Sequence, residues 1–251
     1  MITAENYFSI ESNMKCMGAS QFKAFMECEA GALAEVKGEI ERETSVSQLV
    51  GSYVDAHYEG TLDLFKAKNP AIFTKAGDLK SEYKHAEYII ERLERDELFQ
   101  KYMAGEKQVI KVGEIDGVPF KIKIDSYHPG KAIVDLKVMK DFGGIWKDGL
   151  KLSFVEAWGY DFQAAIYQAV EGNNLPFFIA GATKEKPEPD LGIFSIPQDR
   201  LDWCLNEVKA NIHRIVEIKQ GKIEPERCEH CTYCKQTKIL TEIIDYTQLD
   251  C

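Results

Sequence analysis

The chain has 251 residues, 45% of them hydrophobic, and its 41 acidic and 31 basic residues give a net charge of -10. This acidic balance argues against a protein that coats nucleic acid nonspecifically, although basic residues confined to one groove could still bind DNA. No basic, apolar leader opens the sequence, and no run of about 18 apolar residues occurs in it. We therefore expect a soluble, cytoplasmic protein with no membrane partner.

Helical periodicity dominates the first 105 residues, apart from an irregular arm at residues 1–19. Ser20 is a potential N-cap, and the apolar spacing after it predicts a helix as far as residue 37. The same spacing predicts two more helices, at residues 46–66 and 80–95.

From residue 106 the periodicity changes to that of strands. Asp116-Gly117 and Pro129-Gly130 are turn signals between three apolar, alternating segments. Beyond them the pattern predicts a loop, a helix, two strands and a last helix, at residues 141–149, 153–170, 176–182, 191–196 and 198–219. We therefore expect one α/β domain with a mixed sheet (α+β) flanked by helices, in which a helical part (1–105) precedes a core (106–220) and a cysteine-rich tail (221–251).

Two carboxylates and an ammonium group are predicted to share a small volume at the second turn. Alternate side chains of a strand share a face, so Asp135 and Lys137 point the same way, and Asp125 leaves the preceding strand close to Asp135. Two carboxylates at a sheet edge suit a hard cation such as Mg²⁺ or Mn²⁺, and the ammonium group could orient a water during phosphodiester hydrolysis. The alternative is a hairpin that carries a surface salt bridge.

Two motifs resemble those of a known nuclease superfamily. Ile124-Asp125, followed by Ile133-Val134-Asp135-Leu136-Lys137, resembles the core of the PD-(D/E)XK nucleases, and Gln163-Ala-Ala-Ile-Tyr167 resembles the Gln-x-x-x-Tyr signature of RecB-like nucleases. The nearest branch is the RecE-like phage exonucleases, which are related to the RecB nuclease domain. The resemblance implies a restriction-endonuclease-like core, and Gln163 and Tyr167 would contact the DNA backbone or support the metal ligands. The alternative for this helix is an amphipathic helix with one buried amide.

The sequence departs from the RecB-like pattern at two positions. Such nucleases have Gly-x-x-x-His on the second helix, whereas here Gly51 is followed by Asp55, and His57 lies two residues further on. A helix turns about 100° per residue, so Asp55 and His57 cannot face the site equally; they could also be a solvated acid and a histidine at the core edge. The RecE-like group often has Glu on the first strand, where this sequence has Gln108. The candidates for a third metal ligand are therefore Asp55, His57, Glu106 and Glu114.

Seven cysteines in a reducing compartment, three of them in Cys228-Glu-His-Cys231-Thr-Tyr-Cys234, indicate metal ligation rather than disulfides. A fourth thiolate would suit Zn²⁺ or an iron-sulfur cluster, and an imidazole such as His230 would suit Zn²⁺. Some RecB-like nucleases hold a 4Fe-4S cluster with one Cys near the start of the fold, matched here by Cys28, and three near its end. The last spacings here are tighter than that pattern, so Zn²⁺ stays open, as does a cluster that binds nothing.

The resemblance implies a Mg²⁺-dependent exodeoxyribonuclease that acts on DNA ends in phage recombination. It further implies a single-strand annealing recombinase as a partner, and a homo-oligomeric ring around DNA. The alternative is a catalytically weak or inactive DNA-binding or scaffold protein on the same fold, because the usual His and first-strand Glu are missing.

Overall fold

The central sheet has five strands, and a two-stranded hairpin lies apart from it. The five are β1 (Glu106–Ile115), β2 (Val118–His128), β3 (Ala132–Met139), β6 (Phe177–Thr183) and β7 (Leu191–Ser195), and the hairpin consists of β4 (Ile145–Lys147) and β5 (Leu150–Leu152). The sheet order is β1-β2-β3-β6-β7. Only β3 and β6 pair in parallel, so the sheet is mixed, as predicted.

The computed structural model describes residues 2–41, 44–147, 149–241, 243 and 245, so the end of the predicted tail, 246–251, lies outside the described residues. Within these ranges a single 3₁₀ turn, Pro70–Ile72, accompanies the α-helices. The α-helices are α1 (Ile10–Lys15), α2 (Ala19–Glu27), α3 (Glu29–Val36), α4 (Val46–Tyr58), α5 (Leu62–Lys68), α6 (Ser81–Glu94), α7 (Glu97–Met103), α8 (Phe154–Ala157), α9 (Tyr160–Glu171), α10 (Gln198–Lys219) and α11 (Thr232–Gln236).

Helices cover both faces of the sheet and form two apolar cores. α2, α9 and α10 contribute to the first core, and α4, α6 and α7 to the second. Along β3, Ile133 and Met139 belong to the first core, whereas Val134 belongs to the second. Side chains alternate along a strand, so Asp135 and Lys137 share the face that α9 covers. The predicted sheet flanked by helices is confirmed.

Three predicted helices are each broken in two. The helix predicted over 20–37 breaks at Cys28, that over 46–66 breaks near Gly60, and that over 153–170 breaks at Gly159. Gly60 and Gly159 have φ values of 73° and 61°, a left-handed conformation that glycine adopts without steric cost. Cys28 is extended, and its Sγ accepts a hydrogen bond from the N–H of Gly31, which caps α3.

Five short elements were not predicted: α1 in the arm, the 3₁₀ turn, α7, α11 in the tail, and the β4–β5 hairpin, which begins in the predicted loop 141–149 and ends beyond it at Leu152. They are too short for apolar periodicity to mark them, and α1 and α7 begin instead at side-chain caps. Ser9 Oγ accepts from the N–H of Ser12 at 3.1 Å, and Asp96 Oδ1 accepts from the N–H of Phe99 at 2.9 Å. No helix in the described part of the chain has the length and apolar character needed to cross a bilayer.

Candidate functional site

The acidic centre lies where β2 and β3 stop pairing. Their backbone pairing ends at Ser126 and Val134, and the next residues on each strand are Asp125 and Asp135. The N–H of Leu136, which has no partner on β2 beyond this point, donates to Asp125 Oδ2 at 2.9 Å. The parting of the strands therefore leaves room for both carboxylates.

One carboxylate oxygen of Asp135 is held by a hydrogen bond, and the other is available to a cation. The residue is 2% exposed, and its Oδ1 accepts from Gln163 Nε2 of α9 at 2.7 Å. Its Oδ2 forms an ion pair with Lys137 Nζ, but it receives no well-directed hydrogen bond from any described residue. Gln163 therefore fixes the carboxylate while Oδ2 keeps a lone pair for a cation.

The centre holds more negative than positive charge. Burial, and then the charge of Asp135, raise the pKa of Asp125 to about 7. Burial alone would lower the pKa of Lys137, but Asp135 and Asp125 outweigh it and raise that pKa above its ordinary value. Lys137 is therefore a permanent cation near neutral pH, and the acids are short of a second positive charge.

Gln108 lies opposite Asp125 on β1. The pairs on either side, Lys107 with Ser126 and Val109 with Ile124, fix this register. Gln108 Nε2 donates to Asp125 Oδ1 at 3.2 Å, while the buried Oε1 has no hydrogen-bond partner among the described residues. Its φ of 52° is uncommon for any residue but glycine, and such strain is frequent at functional sites.

The two glutamates predicted as candidate ligands lie away from the acids. Glu114 pairs with Pro119, six residues along β1 from Gln108, which is about 20 Å at the usual rise of a strand. Glu106 is exposed at the start of β1. The register therefore excludes Glu114, and it brings Gln108 rather than Glu106 to Asp125.

Helix α4 turns Asp55 toward the centre and His57 away from it. Burial, followed by the charge of Asp125, raises the pKa of Asp55 well above its ordinary value. The imidazole of His57 instead contacts Glu94 of α6 at 2.9 Å, so His57 as a metal ligand is not supported by this geometry. The carboxylates of Asp55, Asp125 and Asp135 do not all lie within 4.8 Å of one another, since the cysteine group is the only such set of three or more in the described part of the chain. Asp55 also lines an open cleft of about 460 Å³.

Tyr160 and Tyr167 contact the centre in different ways. The ring of Tyr160 lies 5.3 Å from Lys137 Nζ, measured to the ring centroid. The hydroxyl of Tyr167 donates to the backbone carbonyl of Lys123 on β2 at 3.0 Å. Tyr167 therefore ties α9 to the strand that carries Asp125. The resemblance implied that Tyr167 contacts the DNA backbone or supports the metal ligands, and this contact corresponds to the second role.

Cys28, Cys228, Cys231 and Cys234 form a second group of metal-ligand side chains. Their sulfur atoms all lie within 4.8 Å of one another, and none of them forms a disulfide. The closest separations are 3.6 Å for Cys28 and Cys234, 3.7 Å for Cys28 and Cys231, and 3.9 Å for Cys228 and Cys234. His230 is exposed and lies outside the group, so Cys28 is the fourth member.

Backbone N–H groups point at three of these sulfurs. Gly31, Cys231 and Cys234 donate to Cys28, Cys228 and Cys231, respectively, at 3.4, 3.3 and 3.4 Å. Hydrogen bonds from the backbone at His230 and Cys231 lower the pKa of the Cys228 thiol to about 6, whereas burial raises the pKa of Cys28 and raises that of Cys231 to about 12 while no ion is bound. Such donors stabilise thiolates, which is the form that binds metal.

The two groups fit different metals. The acidic centre presents carboxylate oxygens and the unpaired Oε1 of Gln108, which are ligands that Mg²⁺ prefers and that zinc-thiolate chemistry does not use. A tetrahedral zinc with Zn–S bonds of about 2.3 Å places its sulfurs about 3.8 Å apart, close to the separations measured above. Four irons and four sulfides enclosed between the thiolates would hold the sulfur atoms farther apart than a single ion does.

Two residues beside the centre were missed from the sequence. Gln108 was noted only as the absence of a glutamate, and Lys23, on α2, was not considered. Burial and the charge of Lys137 lower the pKa of Lys23 to about 8. The sequence signal for Lys23 was weak, since a lysine on an amphipathic helix is ordinarily a solvated residue, and the signal for Gln108 was only the missing glutamate.

Comparisons with known proteins agree with this geometry. Residues 18–237 match the family model described as "PDDEXK-like domain of unknown function (DUF3799)". A crystal structure described as a "Putative exonuclease" from Eubacterium rectale is 47% identical, with 98% of this chain and 96% of that chain covered and a TM-score of 0.93. A second structure, described as SSO0001, is 16% identical over 85% of this chain and 91% of that chain, with a TM-score of 0.33 that is too low to carry an argument. No curated protein matches the sequence.

Proposed function

The chain belongs to the PDDEXK-like family DUF3799, and from this premise we propose that it is a Mg²⁺-dependent nuclease that hydrolyses DNA from its ends. The observation that carries the proposal is the meeting of Asp125, Asp135 and Lys137 at the parting strands. The likeness to a protein described as an exonuclease supports action on ends.

Asp125, Asp135 and Gln108 Oε1 would hold the cation, and Asp55 would act through a water molecule, since the three carboxylates do not all lie within 4.8 Å of one another. Mg²⁺ commonly takes one or two carboxylates and keeps several waters, so this set is sufficient. A bound divalent cation lowers the pKa of water and offsets negative charge on the phosphate.

Gln163 orients the carboxylate of Asp135, and Lys137 orients the attacking water and stabilises the charge that develops on the phosphate. Gln163 holds Oδ1 of Asp135, so Oδ2 faces the site. Lys137 stays protonated because both acids raise its pKa, so it acts by its charge and its hydrogen bonds rather than as a base. Its ammonium group orients the attacking water and offsets the charge that develops on the phosphate oxygens.

A cleavage panel tests this proposal. Supercoiled, linear duplex and single-stranded DNA would be incubated with wild type and with Lys137→Ala, in Mg²⁺ or Mn²⁺ and in EDTA. We expect wild type to shorten linear DNA and to spare closed circles, and Lys137→Ala and EDTA to stop the reaction. Equal, negligible cleavage by both proteins would refute the nuclease, and cutting of closed circles as fast as linear DNA would refute action from ends.

We propose Zn²⁺ as the ion of the four cysteines, in preference to a 4Fe-4S cluster. The sulfur separations of 3.6 to 3.9 Å and the N–H donors support a single tetrahedral ion. Elemental analysis of the purified protein should find one zinc per chain. Its absorption spectrum should show no band in the visible range. Iron with visible absorbance after anaerobic purification would favour the cluster instead.

Assembly is a separate proposal. An acidic chain of net charge -10 needs its DNA contacts confined to one surface, and a ring that encloses DNA would provide such confinement. Light scattering would measure a multiple of the 28.5 kDa chain if a ring forms. Pull-down with a single-strand annealing recombinase would test that partner, and a monomer with no capture would overturn both.

A further inference from the structure

Lys23 places a second ammonium group beside the acidic centre. Its Nζ donates to the carbonyl of Trp158 at 3.0 Å and lies 5.5 Å from the centroid of the Tyr160 ring. Lys137 Nζ lies 5.3 Å from the centroid of the same ring. Tyr160 therefore links the lysine of the acidic centre to a lysine from a different part of the chain.

This second cation lacks a partner of opposite charge. Lys23 makes no ion pair with any described residue, and the neighbouring carboxylate of Asp161 is taken by Arg200, whose Nε donates to it at 2.8 Å. The charge of Lys137 disfavours the ammonium form of this half-buried lysine, whereas the charges of Asp135, Glu27 and Asp161 favour it without forming an ion pair. Lys23 Nζ therefore has no described carboxylate within ion-pair distance and is available to an anion such as a phosphate.

Trp158 adds an unoccupied aromatic surface next to Lys23. The residue is 56% exposed, and its indole makes no ring contact within the described part of the chain. The following residue, Gly159, has a φ of 61°, and a Cβ there would lie 2.8 Å from the Cδ of Lys23. Glycine at this position therefore permits both the left-handed turn and the passage of the lysine stem.

We propose that Lys23, Tyr160 and Trp158 form a subsite for the nucleotide next to the scissile phosphate, an inference that rests on the proposed nuclease function. A polynucleotide carries one phosphate per nucleotide, so a strand whose scissile phosphate lies at Asp135 and Lys137 brings its next phosphate past Tyr160 to Lys23. Trp158 then stacks on the base. Both faces of a base inside a duplex are covered by its neighbours, so the subsite is suited to a single-stranded or frayed end.

Binding of a labelled single-stranded oligonucleotide, measured by fluorescence anisotropy without added Mg²⁺ over a range of salt concentrations, tests both contacts. Lys23→Met should make the slope of log affinity against log salt less steep by about 0.7, the value for one phosphate on a single strand. Lys23→Arg should keep the slope, and Lys209→Met, at an exposed position on α10, should match wild type.

Trp158→Ala should weaken binding by about 5- to 150-fold without changing the salt slope, because stacking is not ionic. Trp158→Phe should restore most of the affinity. An oligonucleotide that is abasic at the flanking nucleotide should bind Trp158→Ala and wild type equally. Because Trp158 is exposed, its variants test the subsite even if Lys23→Met folds poorly.

The outcomes separate this inference from the function on which it rests. If wild type cleaves DNA but Lys23→Met keeps the wild-type slope and Trp158→Ala keeps the wild-type affinity, the subsite is wrong and the nuclease stands. If wild type neither binds nor cleaves DNA, both are wrong.

Discussion

The acidic centre and the four-cysteine group both gather metal-ligand side chains, but they are built in opposite ways. The centre comes from adjacent strands that part, it is short of positive charge, and it adjoins an open cleft. The cysteine group joins residues about 200 positions apart, and its sulfurs already lie at the spacing of a closed tetrahedron. An incomplete ligand set leaves positions for substrate and water, whereas a complete set leaves none, so the first group is suited to catalysis and the second to stability.

The largest effect should follow from removing the ammonium group of Lys137 from the acidic centre. Lys137→Met should lower the cleavage rate by about 10²- to 10³-fold, the loss typical when one preorganised charge is removed. Lys140→Met, at the residue directly after β3 whose side chain is 95% exposed, should stay within about twofold of wild type. The rates would be measured at saturating Mg²⁺, with a thermal melt of each variant, and equal losses for both lysines would remove Lys137 from the mechanism.

The cysteine group should respond mainly through stability. Cys231→Ser should abolish zinc binding and lower the melting temperature by about 10 °C, because the ion ties α3 to the C-terminal segment. Cys204→Ala is the matched control, since burial raises the pKa of this core thiol to about 12 and it lies outside the group. Cys204→Ala should keep its zinc. Retention of zinc and of the melting temperature by Cys231→Ser would contradict the structural role.

The acidic centre should also destabilise the metal-free fold as the pH rises. Because the pKa of Asp125 is raised to about 7 from an ordinary 3.8, the folded state binds more protons than the unfolded state between these values. The free energy of unfolding therefore falls with rising pH across that window. In EDTA, wild type should lose on the order of 5 °C in melting temperature relative to Asp125→Asn between pH 5 and pH 8.

The control for this pH dependence is Asp63→Asn, at an exposed acid of α5, which should follow wild type at every pH. Parallel curves for wild type and Asp125→Asn would mean that Asp125 titrates normally. EDTA also removes an ion from the cysteine group, but wild type, Asp125→Asn and Asp63→Asn share the same four cysteines, so the difference between their curves reports the acidic centre alone.

Sequence reasoning located the parts of the site that follow from local rules. Strand alternation placed Asp135 and Lys137 on one face. The resemblance to RecB-like nucleases implied that Gln163 contacts the DNA backbone or supports a metal ligand, and its hydrogen bond to Asp135 corresponds to support. Sequence reasoning did not find the roles of Gln108 and Lys23, because a positive φ, an unpaired oxygen and a missing counter-ion are properties of the folded chain. The breaks at Cys28, Gly60 and Gly159 were missed for a related reason: apolar periodicity continues across a break when both halves pack on one core.

The choice between Asp55 and His57 gives the smallest effect and depends on the rotation of α4. Asp55→Asn should weaken Mg²⁺ binding by roughly tenfold, as expected for a residue that acts beyond the direct ligands. His57→Gln should leave Mg²⁺ affinity within about twofold and cost at most about 0.5 kcal/mol of stability, because its contact with Glu94 is half exposed. Calorimetric titration of Mg²⁺ into each variant would measure both affinities. A larger loss for His57→Gln would mean that α4 presents its other face when the metal binds, and Asp55 would then be the solvated acid.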